Sequence, residues 1–274
     1  MYDYQPPLRD MQFILAELAG LDDISGLPGC EEADADVIGA VLEEAGRFAA
    51  GVLAPLNRVG DAQGCRRLED GRVATPEGWQ QAYARFCAAG WLGLSLPVEF
   101  GGQGLPKLVS TPVMEMWNAA NMAFTMLPIL NQGQAEALRI AASAEQKRTW
   151  LPRVVSGEWG STMNLTEPQA GSDLAATRTR AEPQADGSYK LFGQKIFISY
   201  GEHELTPNIV HLVLARLPDA PAGVKGLSLF IVPKFLVEAD GSLGARNDVR
   251  CISIEHKMGI HGSPTCTLSF GDGG

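Results

Sequence analysis

The sequence predicts an α+β fold in which an all-helical N-terminal domain is followed by a middle domain of β-strands, arranged as a sandwich or a barrel. Three observations lead to this prediction. The chain of 274 residues is long enough for two domains. Apolar residues recur at three- and four-residue intervals up to about Gly157 and at alternate positions beyond it. Helices followed by strands, rather than alternating with them, indicate two segregated units.

The composition limits the classes of partner. A formal charge of -10 and an isoelectric point near 4.9 argue against binding to nucleic acid or to an anionic membrane surface, because both need a cationic face. The N-terminus lacks a basic segment before an apolar stretch, which predicts a cytoplasmic protein without a signal peptide. The five cysteines are odd in number and lack C-x-x-C spacing, so we expect reduced thiols and no zinc site.

The first predicted helices are marked by their caps. Residues 34–53 place their apolar side chains on one stripe, with Asp34 as the N-terminal cap. In the next helix, Thr75 is expected to cap the start and Pro76 to occupy the first turn. Gly90 is expected to end that helix in a left-handed conformation.

Two further helices and the strands follow. One helix is predicted from Ser110 to about Leu127, and another begins with the capping-box pattern Ser143-Ala-Glu-Gln146. The Gly- and Pro-rich residues 217–226 are expected to form a surface connection between strands. Alternating patterns predict strands at residues 177–182, 188–199, 208–215, 226–233, 250–255 and 265–270.

Two segments carry the residues suited to chemistry. Residues 163–173 (MNLTEPQAGSD) cannot continue a helix or a central strand, so they predict an irregular loop with exposed backbone N–H groups. In residues 194–201 (QKIFISYG), strand alternation places Phe197 and Ser199 on one face. A flat conjugated ring could lie against Phe197 while Ser199 donates to the edge of that ring.

These segments resemble the acyl-CoA dehydrogenase family. The resemblance spans about residues 78–270, and its motifs are specific because they occur in the order found in the family. The N-terminal YQPPLRDMQFIL resembles the short extension of a large bacterial subgroup. The matching motifs are GWLGLSLPVEFGGQGLP (90–106), EQKRTWLPRVVSGEWGSTMNLTEPQAGSD (145–173), GQKIFIS (193–199) and KMGIHGSPTCTLSF (257–270).

The resemblance implies an FAD site and an acyl-CoA site. The residues expected to contact FAD are Met163, Leu165, Thr166, Phe197, Ile198 and Ser199. Within this set, Thr166 would serve the pyrimidine edge of the isoalloxazine and Ser199 the ring nitrogen that accepts the hydride. The residues expected to contact the acyl-CoA are Gly171 and Ser172 beside the CoA arm, and Met126 and Leu130 beside the acyl tail, within residues 122–130.

Several of these residues have a structural alternative. Thr166 could cap the turn at Glu167-Pro168, Phe197 could pack in a core, and residues 122–130 could be ordinary helix packing. Glu167 is interpreted as structural, as it is in the family. His256, His261 and Asp173 show no spacing typical of a triad or a metal site.

The resemblance implies the oxidation of an acyl-CoA thioester to a trans-2-enoyl-CoA, with electrons passed to an electron-transfer flavoprotein. The expected domains are an extension (1–33), a helical domain (34–157) and a β domain (158–274). The C-terminal helical bundle that carries the base in the family is expected to be absent, so no catalytic residue is predicted. An oxidase of the same fold and an inactive flavin- or acyl-CoA-binding fragment remain alternatives. The intact protein is expected to be a homodimer or homotetramer.

Overall fold

The computed structural model describes residues 4–30 and 32–273. Residues 1–3 and 31 of the predicted extension, and residue 274, therefore lie outside the described residues. The described helices are α1 (Leu8–Phe13), α2 (Leu21–Ser25), α3 (Ala35–Phe48), α4 (Ala54–Gln63), α5 (Trp79–Ala88), α6 (Lys107–Ala141) and α7 (Ala144–Ser156). π-Helical turns occupy Ile14–Leu18 and Ala49–Leu53, and 3-10 turns occupy Trp91–Gly93, Val98–Phe100, Leu174–Ala176 and Val224–Gly226. Within the described part of the chain, no helix is both long enough and apolar enough to cross a membrane.

The strands follow the helices, which confirms the predicted fold class. Among the described strands, only the short pair β1 and β2 lies between helices. The described strands are β1 (Arg66–Arg67), β2 (Val73–Ala74), β3 (Trp159–Asn164), β4 (Arg180–Pro183), β5 (Tyr189–Ser199), β6 (Asn208–Arg216), β7 (Leu227–Pro233), β8 (Phe235–Val237), β9 (Leu243–Arg246), β10 (Val249–Ile254) and β11 (Thr265–Phe270).

Two of the predicted helix starts are confirmed by hydrogen bonds. The Asp34 carboxylate accepts from the Val37 backbone N–H across 2.8 Å at the start of α3. The Ser143 hydroxyl and the Gln146 side chain each bond the backbone N–H of the other at the start of α7. Both pairs lie three residues apart in sequence, so local geometry is enough to form them.

The predicted start of the next helix is wrong. Helix α5 begins at Trp79 with Gly78 at its N-cap, and Thr75 does not cap it. Instead, the backbone N–H and the hydroxyl of Thr75 donate to the Glu204 carboxylate at 2.8 to 3.1 Å. The Thr75 hydroxyl therefore bonds a carboxylate far away in sequence, and not the helix start that the sequence predicted. The predicted left-handed stop at Gly90 is confirmed, with a φ of +73°.

Helix α6 is longer than predicted and is bent. It continues to Ala141, past the expected end near Leu127, although Pro128 lies inside it. Asn121 has non-helical backbone angles, and its side chain both accepts from the Phe124 N–H at 3.0 Å and donates to the Leu53 carbonyl at 3.1 Å. The buried Asn121 side chain thus caps the second half of α6 and replaces hydrogen bonds lost at the kink.

The helices enclose one aromatic core. The rings of Phe86 and Trp117 meet edge to face with centroids 4.7 Å apart, and Trp117 donates from its indole N–H to the Ala45 carbonyl of α3 at 3.3 Å. Met11 and Leu15 of the N-terminal segment are buried in the same core. The N-terminal segment is therefore part of the helical unit.

The strands form a seven-stranded mixed sheet that changes direction at Gly193. Its order is β10-β11-β5-β4-β6-β3, with β7 also paired to β6. Residues 189–192 of β5 pair with β4, whereas residues 193–199 pair with β11. A strand that changes partner in this way makes the corner of a sandwich or barrel, as the sequence predicted. Gly193 lies against Thr179, since an added Cβ would be 2.6 Å from the Thr179 hydroxyl oxygen.

All six predicted strands are present, with boundaries shifted by a few residues. The sequence pattern missed β3, because residues 159–164 are almost entirely buried and show no alternation of apolar and polar side chains. It also missed the short β8–β9 hairpin. Residues 217–226 connect β6 to β7, as predicted.

Candidate functional site

The loop after β3 is fixed directly onto β5. The Thr166 carbonyl accepts from the Ile196 backbone N–H at 2.9 Å, and the Leu165 carbonyl accepts from the Lys195 ammonium at 2.9 Å. Two segments that are about 30 residues apart in sequence therefore become neighbours. This contact brings Leu165 and Thr166 to the part of β5 that directly precedes Phe197.

A buried ion pair lies beneath this loop. Lys195 is fully buried, Glu167 is 4% exposed, and the Lys195 Nζ lies 2.8 Å from the Glu167 Oε1. The same carboxylate accepts from the backbone N–H groups of Arg178 and Thr179 at 2.8 and 3.0 Å, and from the Gln169 amide at 2.6 Å. Glu167 therefore uses both oxygens for structural bonds, in agreement with the structural interpretation.

Burial and hydrogen bonding oppose each other in setting the ionisation of this pair. Burial acts to raise the pKa of Glu167, but the bonds from Lys195, Thr179 and Arg178 together outweigh it and lower that pKa to about 2. Burial also lowers the pKa of Lys195, and the neighbouring Glu167 carboxylate acts in the opposite direction. The arrangement is that of a charged carboxylate held by a buried ammonium.

Phe197 lies in a bulge of β5 and is exposed to solvent. Between the paired positions Lys195–Leu268 and Ile198–Cys266, two residues of β5 face one residue of β11. Phe197 has a φ of +60°, unusual for a residue other than glycine, and its side chain is 57% exposed. Ile198, the sixth predicted FAD contact, is buried at 2% exposure, so it supports the strand from the core side. The core-packing alternative for Phe197 is therefore wrong.

The hydroxyls of Thr166 and Ser199 have no hydrogen-bond partner among the described residues. Within the described residues, neither the Thr166 hydroxyl nor the Ser199 hydroxyl makes a hydrogen bond, although both side chains are half-buried. The turn at Glu167-Pro168 is closed instead by backbone bonds between Glu167 and Ala170 at 3.0 Å. The alternative in which Thr166 caps that turn is therefore also wrong.

The five other predicted contact residues lie in the loop, on β3 and on α6. Gly171 and Ser172 are exposed and follow directly on the Glu167–Ala170 bridge. Met163 is half-buried on β3 and packs against the hydrophobic cluster beneath α6 and α7. Met126 and Leu130 lie on α6, half-buried against the helical core. Packing alone therefore explains much of their environment.

Two clefts open elsewhere on the molecule. One of about 750 Å³ lies between the α6–α7 junction and strands β5 and β7, and one of about 580 Å³ lies between α3 and the Trp91 turn. None of the ten predicted site residues lines either cleft. The predicted site residues thus lie outside both of these clefts.

Sequence reasoning missed a buried polar group under β3. The His211 imidazole Nδ1 lies 2.7 Å from the Thr162 hydroxyl, which also accepts from the Asn164 amide at 2.7 Å. His203 is 1% exposed, and its Nε2 has no described hydrogen-bond partner. Burial is the main cause that lowers the pKa of both histidines to about 3, assisted by the positive charge of Lys234. Both imidazoles are therefore neutral at physiological pH.

Comparison with known proteins identifies the family. Residues 38–158 match the model of the acyl-CoA dehydrogenase N-terminal domain, and residues 162–272 match the model of the acyl-CoA dehydrogenase middle domain. The chain belongs to the acyl-CoA dehydrogenase family. In this family member the first match ends two residues after α7, and the second begins within β3, which leads into the loop.

Curated members of the acyl-CoA dehydrogenase family are similar over nearly the whole chain. The 3-methylmercaptopropionyl-CoA dehydrogenase of Ruegeria pomeroyi is 49% identical over 267 residues, which cover 97% of this chain and 45% of that protein. The broad-specificity linear acyl-CoA dehydrogenase of Mycobacterium tuberculosis is 39% identical over 279 residues, or 45% of its own length. The chain thus spans about half the length of the curated relatives that it matches.

The acyl-CoA dehydrogenase fold is also supported by a solved structure. The butyryl-CoA dehydrogenase of Megasphaera elsdenii superposes with a TM-score of 0.70 at 24% identity, covering 86% of this chain and 56% of that chain. At this level of identity the likeness concerns the fold alone. It agrees with the helical part followed by a curled sheet.

Proposed function

We propose that this chain is part of an FAD-dependent acyl-CoA dehydrogenase that converts an acyl-CoA thioester to a trans-2-enoyl-CoA. The observation that carries the proposal is the exposed Phe197 ring on a strand that also carries Ser199 and that is hydrogen-bonded to the loop at Thr166, with both hydroxyls unpaired among the described residues. A flat apolar surface flanked by hydroxyl donors suits a ring system with a polar edge. The family membership supplies the chemistry that this surface would serve.

The chain's own residues have separable roles in this proposal. Phe197 and Ile198 would present the strand to the flavin, while Met163 near the end of β3 and Leu165 at the start of the loop would contact the same ring system. The Thr166 and Ser199 hydroxyls donate to the flavin edge, where preorganised donors favour the anionic reduced form. Bound FAD would accept the hydride from the substrate's β carbon.

The acyl-CoA is proposed to extend from the flavin in two directions. Gly171 and Ser172 would lie beside the CoA arm, and Met126 and Leu130 on α6 would lie beside the acyl tail. No residue of this chain is proposed as the base. The two buried carboxylates among the described residues, Glu167 and Glu202, are both held in ion pairs, so neither is free to take the substrate's α proton.

The wider context of the enzyme is part of the same proposal. Electrons would pass to an electron-transfer flavoprotein, and the intact enzyme would act as a homodimer or homotetramer in the cytoplasm. The proposed domain limits are 1–33, 34–157 and 158–274. Oxygen-dependent turnover would favour the oxidase alternative, and FAD binding without reduction by any acyl-CoA would favour the binding fragment.

The proposal is tested by removing both hydroxyls. We expect Thr166→Ala combined with Ser199→Ala to weaken the binding of oxidised FAD by about tenfold, because each of the two lost hydrogen bonds to the neutral ring contributes roughly 0.5 to 1.5 kcal/mol. FAD affinity would be measured by titration of the apoprotein. Ser228→Ala combined with Ser253→Ala, which removes two strand hydroxyls away from the loop, is the control. Equal affinity in both double variants would refute the assignment.

A further inference from the structure

The loop that carries Leu165 and Thr166 is held from below by a single buried side chain. The Lys195 ammonium donates to the Leu165 carbonyl at 2.9 Å and to the Glu167 carboxylate at 2.8 Å. Lys195 therefore bonds the residues on both sides of Thr166. The adjacent residue of β5, Ile196, donates its backbone N–H to the Thr166 carbonyl. Three successive residues of the loop are thus fixed by two successive residues of the strand.

Glu167 connects the loop held by Lys195 to the start of β4. Its carboxylate accepts from the backbone N–H groups of Arg178 and Thr179, which immediately precede β4 at Arg180. Its own backbone pairs with Ala170 and closes the turn that leads to Gly171. The Lys195–Glu167 pair consequently links Leu165 and Thr166, which are predicted to contact FAD, to the turn before Gly171 and Ser172, which are predicted to contact CoA.

The opposite charges of Lys195 and Glu167 cancel, and the ion pair is buried close to a residue that is open to solvent. Lys195 is 0% exposed and Glu167 is 4% exposed, whereas Phe197, two residues along β5, is 57% exposed. Water cannot screen a charge on either buried partner as it screens a surface charge. Removal of one partner would therefore leave an uncompensated charge that acts on whatever lies against Phe197 and Thr166.

We propose that Lys195 and Glu167 are positioning residues that hold the Leu165–Thr166 loop for the flavin and balance the charge beneath it. This inference rests on the proposed flavin site. Neither residue is proposed to touch the flavin, because both act through the loop. The role differs from simple stabilisation of the fold, since it makes the flavin's reduction potential depend on the sign of the charge that is removed.

The test is the two-electron reduction potential of the FAD-loaded protein in three variants. Glu167→Gln leaves a buried cation and should raise the potential, while Lys195→Met leaves a buried anion and should lower it. We expect each change to be about tenfold in the reduction equilibrium, which is about 30 mV for a two-electron couple. The double variant, Lys195→Met with Glu167→Gln, should return close to the wild-type potential.

An exposed ion pair provides the matched control. Charged atoms of Arg180 and Glu182 on β4 also lie 2.8 Å apart, but their side chains are 58% and 43% exposed. Glu182→Gln should leave the potential unchanged, because solvent screens that pair. An equal shift in Glu182→Gln and Glu167→Gln would overturn the proposal.

The other outcomes separate this proposal from the flavin site itself. Shifts of the same sign in Glu167→Gln and Lys195→Met, with FAD still bound, would overturn the positioning role alone. Failure of the wild-type protein to bind FAD would overturn the proposed function, and this inference with it. If Lys195→Met does not fold, the near-isosteric Glu167→Gln decides the matter, since an unchanged or lowered potential contradicts the proposal.

Discussion

The Tyr200 hydroxyl donates a hydrogen bond of 2.7 Å to the Ala123 carbonyl on α6, and it accepts one of 3.2 Å from the Trp79 indole N–H. Tyr200 is fully buried, and its φ of +53° lies in the left-handed region. It directly follows Ser199, the last residue of β5. The strand proposed to contact the flavin is therefore fastened to the helix proposed to contact the acyl tail.

Removing this hydroxyl should destabilise the junction of helices and sheet. In Tyr200→Phe the Ala123 carbonyl and the Trp79 N–H would lose a buried partner, which costs about 1 to 3 kcal/mol. Urea denaturation measures the change in the free energy of unfolding. Tyr189→Phe is the matched control, since Tyr189 is 45% exposed and its hydroxyl bonds no described residue. A similar loss of stability in both variants would argue against the junction.

Substitutions at Met126 and Leu130 should change the preference for acyl chain length if the proposed acyl site is correct. Met126→Ala and Leu130→Ala each remove half-buried side-chain volume from α6 and so open space beside the helix. We expect the ratio of kcat/KM between long and short acyl-CoAs to shift by about 1 to 3 kcal/mol per methylene-sized change. Ile140→Ala, at a position 73% exposed on the same helix, should leave the ratio unchanged. An unaltered ratio in all three variants would place the acyl tail elsewhere.

Acid should destabilise the protein through Glu167. Its pKa is lowered from 4.5 to about 2 in the folded state, so the stabilisation is complete above pH 4.5 and is lost as the pH falls towards 2. The loss should be on the order of 3 kcal/mol, because one pKa unit corresponds to roughly 1.4 kcal/mol. Glu167→Gln should flatten this part of the profile of unfolding free energy against pH. A profile that keeps its slope below pH 4.5 in the variant would contradict this assignment.

The buried histidines should act in a higher pH range. The pKa values of His203 and His211 fall from 6.5 to about 3 on folding, so the unfolded chain binds protons that the folded protein rejects. The unfolding free energy should therefore decrease as the pH falls from 6.5 towards 3, by up to about 2.7 kcal/mol per pH unit for two groups. Replacing either residue with glutamine should reduce this slope. A slope that stays unchanged in both variants would contradict this prediction.

A methyl group at Gly157 should disturb the start of the sheet. Gly157 ends α7 with a φ of +78°, and an added Cβ would lie 2.6 Å from the Cys87 sulfur. Gly101 has a φ of +90° but open space around it. Both alanine variants bear the left-handed backbone cost, so Gly157→Ala should be less stable than Gly101→Ala by about 1 to 3 kcal/mol of overpacking. Equal melting temperatures would contradict the close packing.

The sequence by itself determined the features that depend on nearby residues. Asp34 and the Ser143–Gln146 box bond groups three residues away, so any chain that starts a helix there can form them. The left-handed stop at Gly90 has a similarly local cause. The ordered motifs from residue 90 to residue 270 were also sufficient to indicate the family, which the domain matches then established.

Only the tertiary structure decided which distant groups meet. Thr75 bonds Glu204, which is 129 residues away, and Lys195 bonds Glu167, which is 28 residues away. The exposure of Phe197 depends on a bulge set by the register between β5 and β11. The residues near a side chain in sequence do not determine such partners, because folding brings distant donors and acceptors together. Once these groups are buried, leaving one of them unpaired costs free energy, so they bond each other.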